Sequence, residues 1–105
     1  MMDKIYIYLI ESLETGQFKI GKTKNVKRRL KTLQTGNGGK LKIIEIFQTK
    51  YPNKLESYLH NYFSHEKTIG EWFTFSHGHI KTFKTLCEKM EKIYDELEKI
   101  KTIDF

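Results

Sequence analysis

From residue 4 to residue 11 the chain reads KIYIYLIE, with Ile5, Ile7 and Leu9 alternating with Tyr6, Tyr8 and Ile10. A strand that is apolar on both sides is covered on both sides, so this segment is expected to be the central strand of its sheet. Glu14-Thr15-Gly16 offers a turn with a permissive glycine, and Phe18, Ile20 and Gly21 follow it, which predicts a hairpin. Asn25 is a good helix N-cap, and Val26, Leu30 and Leu33 recur at helical spacing behind it, so a helix comes next. Gly36, Gly38 and Gly39 crowd into one short stretch that neither a helix nor a strand tolerates, which makes residues 34 to 39 a loop. Leu41 to Phe47 reads as a third strand. Pro52 suits the first turn of a helix, and Leu55, Tyr58, Leu59, Tyr62 and Phe63 give it one apolar face through residue 64. A loop over residues 64 to 75 is expected to end in an extended piece, Trp72 to Phe75. Ile80, Phe83, Cys87, Met90, Tyr94 and Leu97 then recur every three or four residues along a long helix over residues 77 to 101. The order ββαβα(β)α predicts an α/β domain of the α+β kind, with a small, mainly antiparallel three-stranded sheet flanked by helices.

The 105 residues are enough for one core and too few for two, so a single domain over residues 1 to 105 is expected. A hydrophobic fraction of 38% supplies that core and sets the chain apart from a disordered tail. Cys87 is the one cysteine, which excludes an internal disulfide and a multi-thiolate zinc site, and its place on the apolar stripe predicts a buried, inert side chain. No apolar run is long enough to span a bilayer, and MMDKIYIYLI lacks a basic lead followed by a small-residue cleavage site. No membrane association is expected. The expected location is the cytoplasm, or the nucleus for a eukaryotic or viral protein.

Charge changes the picture more than composition does. The net charge of +6 is uneven: residues 1 to 34 hold eight basic and three acidic side chains, whereas residues 88 to 105 hold four and six. Lys19, Lys22, Lys24, Lys27, Arg28, Arg29 and Lys31 form a run without a single acid. Such a run on a small domain is the footprint of a polyanionic partner, and Lys19, Lys22, Lys24, Lys27, Arg28 and Lys31 are the candidate nucleic-acid contacts. Other chemistries drop out. Gly36-Asn37-Gly38-Gly39-Lys40 lacks the spacing and the Ser/Thr of a phosphate loop, the four histidines have no zinc spacing, and no serine-nucleophile motif is present. Glu56 taken alone is a helix residue expected to pair with a lysine, and the lone Trp72 is expected in the core.

Tyr6-Ile7-Tyr8 on the first strand, Lys19-Ile20-Gly21 on the second, Arg29 on the next helix and Glu56 on the helix after the third strand resemble the GIY-YIG nuclease superfamily. The blocks KIGKTKNVKRRL, LQTGN, KLESYLHNYF and GEWFTF extend the resemblance over about residues 5 to 75, toward the branch described as a phage-type DNA-binding domain and its meiotically up-regulated relatives. The resemblance implies a small antiparallel sheet flanked by helices and hydrolysis of DNA. It implies that Tyr8, its phenol made more acidic by Lys19 or by a metal-bound water network, accepts the proton of the attacking water, and that Arg29 stabilises charge at phosphorus. It further implies that Glu56 holds one Mg²⁺ or Mn²⁺ and that His60, four residues on, carries protons. This sequence departs from the family pattern at Tyr6, which stands for glycine, and at Lys19, which stands for tyrosine. Glu71-Trp72-Phe73 lies where a catalytic asparagine is usual. Three functional classes follow: a metal-dependent phage or viral endonuclease, a DNA-binding module of the same fold without turnover, and a protein-interaction adaptor using the last helix. DNA is the expected partner, RNA is left open, and the chain is expected to be a monomer or a homodimer.

Overall fold

The computed structural model describes residues 3–101; Met1, Met2 and the last four residues of the chain lie outside it. Four strands and three α-helices follow in the order β1 (Ile5–Ser12), β2 (Phe18–Thr23), α1 (Val26–Thr35), β3 (Leu41–Thr49), α2 (Pro52–Tyr62), β4 (Trp72–Phe73) and α3 (His77–Lys101). The sheet is antiparallel in the order β3-β1-β2-β4. It therefore has four strands where the sequence predicts three. The extended piece after α2 is shorter than expected, and its two residues join the sheet by pairing Phe73 with Phe18 and Trp72 with Lys19. Helix α2 closes at Tyr62, a turn of 3₁₀-helix occupies Ser64–Glu66, and β3 runs on to Thr49.

Central placement of β1 follows from its sequence, and both faces of the strand are used. Ile7 and Leu9 point to one side, where they meet Phe18 and Ile20 of β2, Leu55, Leu59 and Phe63 at the α2 end, Phe73 of β4, and Phe83, Leu86 and Cys87 of α3. Tyr8 and Ile10 point to the other side, with Leu41 of β3 and the half-buried Leu30 and Leu33 of α1. Helix α1 thus covers one face, and α2 and α3 the other. Strict alternation would put Ile43 and Phe47 on the same face of β3. A bulge opposite Leu9 and Ile10 leaves Ile44 without a partner in β1 and re-aims the side chains, so that Ile43 faces α1 while Ile44 and Phe47 face α2 and α3.

Local signals act where expected. Asn25 caps α1 by accepting from the backbone N–H of Arg28 at 3.0 Å, Pro52 opens α2, and Gly16 takes the left-handed φ of 72° that its turn requires. Cys87 is fully buried, and burial pushes its thiol up to about 12, which makes it a small hydrophobe. Among the described residues no helix is long and apolar enough to cross a membrane.

Candidate active site

Strand β4 pairs with only the first two residues of β2, and the rest of that edge is left open. Helix α2 fills the gap from one side. His60 donates from Nε2 to the Ile20 carbonyl at 2.9 Å, which takes the place of a further ladder hydrogen bond. A carbonyl oxygen only accepts, so this contact fixes the proton on Nε2 and leaves Nδ1 as the basic nitrogen of the neutral ring. The ring edge also packs on Phe73 at 5.3 Å, so the imidazole is held at two points. Glu56 lies one turn earlier on the same helix face, which brings it to the same edge.

From the other face comes Tyr8. It is buried, and β1 pairs it directly with Gly21 of β2. That glycine is required by a close approach: a Cβ at position 21 would collide with the Tyr8 hydroxyl and ring. Arg29 reaches in from α1 and donates from Nε to the Tyr8 hydroxyl oxygen at 3.3 Å. That hydrogen bond, and then the charge interaction with Tyr8, raise the Arg29 guanidinium above its ordinary value, with Glu71 and Glu56 adding to the effect.

Together these groups line an open cleft of about 420 Å³ that contains Tyr8, Lys19, Lys22, Arg29, Glu56 and His60, with Gly21, Ser57 and Glu71 between them. The five residues singled out for chemistry in the sequence, Tyr8, Lys19, Arg29, Glu56 and His60, are therefore brought to one place from β1, β2, α1 and α2. The partners of Tyr8 and Lys19 differ from the pairing the resemblance implies. Lys19 pairs with Glu71 at 3.2 Å and sits 5.5 Å from the centre of the Trp72 ring, and the recorded partner of the Tyr8 hydroxyl is Arg29. Lys19 holds the Glu71 carboxyl below its ordinary value, first by hydrogen bonding and then by charge. Lys22 donates to Glu56 at 2.7 Å, so the lysine partner expected of an isolated glutamate is present. Trp72 is half-buried against Tyr8, Ile10 and Leu41, and serves as a lid on that small cluster more than as a plug in the main core.

The basic run of the sequence is divided by the fold. Lys19, Lys22 and Lys24 are paired with Glu71, Glu56 and Asp3, whereas among the described residues Lys27, Arg28 and Lys31 have no ion-pair partner. Glu71 and Ser57 are the cleft residues that sequence reasoning gave no role. Both stand inside blocks that carry the resemblance, Glu71 where a catalytic asparagine is usual, but what brings them to the cleft is the pairing of β4 and the docking of α2. Among the described residues no three His, Cys, Asp or Glu side chains gather into a metal-binding group.

These features define a class: a small α+β domain in which an antiparallel sheet with one open edge gathers a tyrosine–arginine pair, two lysine–glutamate pairs and an oriented histidine in a polar cleft. The chain belongs to the T5orf172 domain family, whose model matches residues 5–96. The match takes in the whole sheet, α1 and α2 and most of α3, well past the stretch over which the nuclease resemblance is legible. Comparison with curated proteins gives no match, and comparison with solved structures gives none either.

Proposed function

We propose that the protein binds DNA and hydrolyses phosphodiester bonds in the cleft at the open edge of β2, as a GIY-YIG-like endonuclease. The observation that carries this reading is the Arg29 Nε contact to the Tyr8 hydroxyl within a cleft that also holds Lys19, Lys22, Glu56 and His60. Phosphodiester hydrolysis needs a group to take the proton of the attacking water, positive charge on the nonbridging oxygens and a stabilised leaving oxygen. With Nε engaged by Tyr8, the two outer nitrogens of Arg29 are the ones that meet a phosphate, and a guanidinium fork matches two of its oxygens. In this reading Tyr8 accepts the proton of the water, and Arg29 steadies the negative charge on its oxygen. His60, with Nδ1 basic and Nε2 tied to the backbone, is placed to relay a proton. In the balanced step water forms the new bond to phosphorus and gives its proton to Tyr8 as the bond to the leaving oxygen breaks; that oxygen is protonated through His60, which recovers the proton taken by Tyr8.

A divalent cation fits this site in one respect. Mg²⁺ keeps several waters and is commonly held by one or two carboxylates with substrate phosphates, so Glu56 suffices as its protein ligand once Lys22 yields. Bound there, Mg²⁺ or Mn²⁺ would supply positive charge at the leaving oxygen. The Lys22–Glu56 contact also supports a second reading, a DNA-binding module without turnover, because it occupies the carboxylate that catalysis needs.

Plasmid nicking with Mg²⁺ or Mn²⁺, beside an EDTA control and alongside gel-shift binding, separates the two. Hydrolysis predicts metal-dependent nicking that falls about 10²–10³-fold in Arg29→Ala and is lost in Glu56→Ala while binding persists. Intact plasmid with a salt-sensitive shift selects the binding module. Salt-insensitive binding to another protein, with no affinity for nucleic acid, would overturn both in favour of an adaptor.

A further inference from the structure

A second basic concavity of about 450 Å³ lies along α1, with Lys27, Lys31 and Lys40 on its rim and Leu30, Gln34 and Leu41 beneath. It shares no residue with the cleft. Lys27 and Lys31 are one turn apart on the helix, and Arg29, which serves the cleft, lies about 200° round from Lys27. The helix therefore separates the two sites, one on each flank. Lys40 is contributed from beyond the glycine loop. It is brought in by Gln34, whose amide donates to the Gly39 carbonyl at 2.7 Å and whose carbonyl accepts from the Leu41 backbone at 2.8 Å.

Two physical features bear on these cations, the first on all three lysines and the second on Lys27 among them. First, among the described residues Lys27, Lys31 and Lys40 have no ion pair, although the three cations that precede them, Lys19, Lys22 and Lys24, each have one. Second, the charge stands where it opposes the fold. The first turn of α1 has no acid, carries Lys27, Arg28 and Arg29 at the positive end of the helix dipole, and belongs to a helix with no buried residue. An anion bound beside this turn would offset that penalty.

We propose that this concavity is a docking groove for the sugar–phosphate backbone of DNA, which it grips at phosphates other than the one in the cleft. Lysine ammonium groups meet the phosphates. The aliphatic floor, with no aromatic ring among the lining residues, suits sugar rather than a stacked base. The inference rests on the proposed DNA reading and adds a second contact point, which makes the footprint extend across α1.

The test is the salt dependence of binding to a labelled DNA duplex by fluorescence anisotropy. Wild type is compared with Lys27→Gln/Lys31→Gln/Lys40→Gln and with a charge-matched control, Lys84→Gln/Lys89→Gln/Lys92→Gln, on the exposed side of α3 across the sheet. Each phosphate contact removed lowers the slope of log K against log salt by about 0.9, so the groove variant should lose about 2.7 and the control nearly nothing. Circular dichroism should show both variants folded, since all six side chains are exposed. An equal loss in both, or no loss in the groove variant, overturns the groove while leaving the cleft reading to stand on nicking. Binding of polyglutamate that depends on these three lysines, with DNA affinity untouched by them, also overturns it and reassigns the groove to an acidic protein. Absence of DNA binding by wild type removes this inference and the nuclease reading together.

Discussion

The two faces of the sheet are built for different purposes. Among the described residues, eleven buried side chains pack into one cluster on the face covered by α2 and α3, whereas on the face covered by α1 only Tyr8, Ile10 and Leu41 are buried together. The first face holds the domain in one piece. The second carries the Tyr8–Arg29 pair and the α1 lysines, and the cleft draws on both faces, because Glu56 and His60 come from α2. Of the side chains proposed for chemistry Tyr8 is buried and still lines the cleft, whereas Lys19, Arg29, Glu56 and His60 stay exposed or half-buried.

The largest effect should come from the heavily packed face. Phe83→Ala, at a fully buried ring of α3, is expected to cost about 3–5 kcal/mol in chemical denaturation, whereas Leu33→Ala, at a half-buried position of α1, should cost about 1 kcal/mol. Equal costs would end the division of labour between the faces. Next in size is Gly21→Ala. The added methyl group collides with the Tyr8 ring, so a stability loss of about 1–3 kcal/mol is expected together with displacement of the hydroxyl from Arg29. A shifted Arg29 side-chain resonance in NMR would report that displacement separately from any unfolding.

The smallest effect is electrostatic and sharpens the account of the cleft. Lys19 depresses the Glu71 carboxyl, so the folded protein titrates this group below its ordinary 4.5. A depressed acid contributes stability above the unfolded value, and that contribution is lost as pH falls through the folded value. An NMR titration of Glu71 should show the depression in wild type and its return toward 4.5 in Lys19→Met. An unshifted Glu71 in wild type would remove the Lys19–Glu71 pair from the description of the site.

Much of this was legible in the chain. The alternation around Tyr8 marks a central strand, Asn25 and Pro52 mark helix starts, Gly16 marks a turn, and the stripe from Ile80 to Leu97 marks the last helix. Each signal lies within a turn or two of the structure it specifies, where backbone geometry and side-chain period act directly. The cleft residues were legible only as a pattern of blocks. Nothing within β2 says that Gly21 lies beneath the Tyr8 ring, and the need for a small residue there appears only once β1 and β2 are in register.

What the sequence determined by itself is the kind and order of elements, a core adequate for one small domain, and a basic surface near the N-terminal half. The tertiary structure alone decided which cations are engaged and which are left for a partner. Lys22 finds Glu56 across 34 residues, Lys19 finds Glu71 through the pairing of β4, and Lys40 joins Lys27 and Lys31 through the Gln34 bridge. The reason is physical. Backbone preference is set by immediate neighbours, whereas an ion pair depends on a few ångströms of separation between residues that only the folded chain brings together.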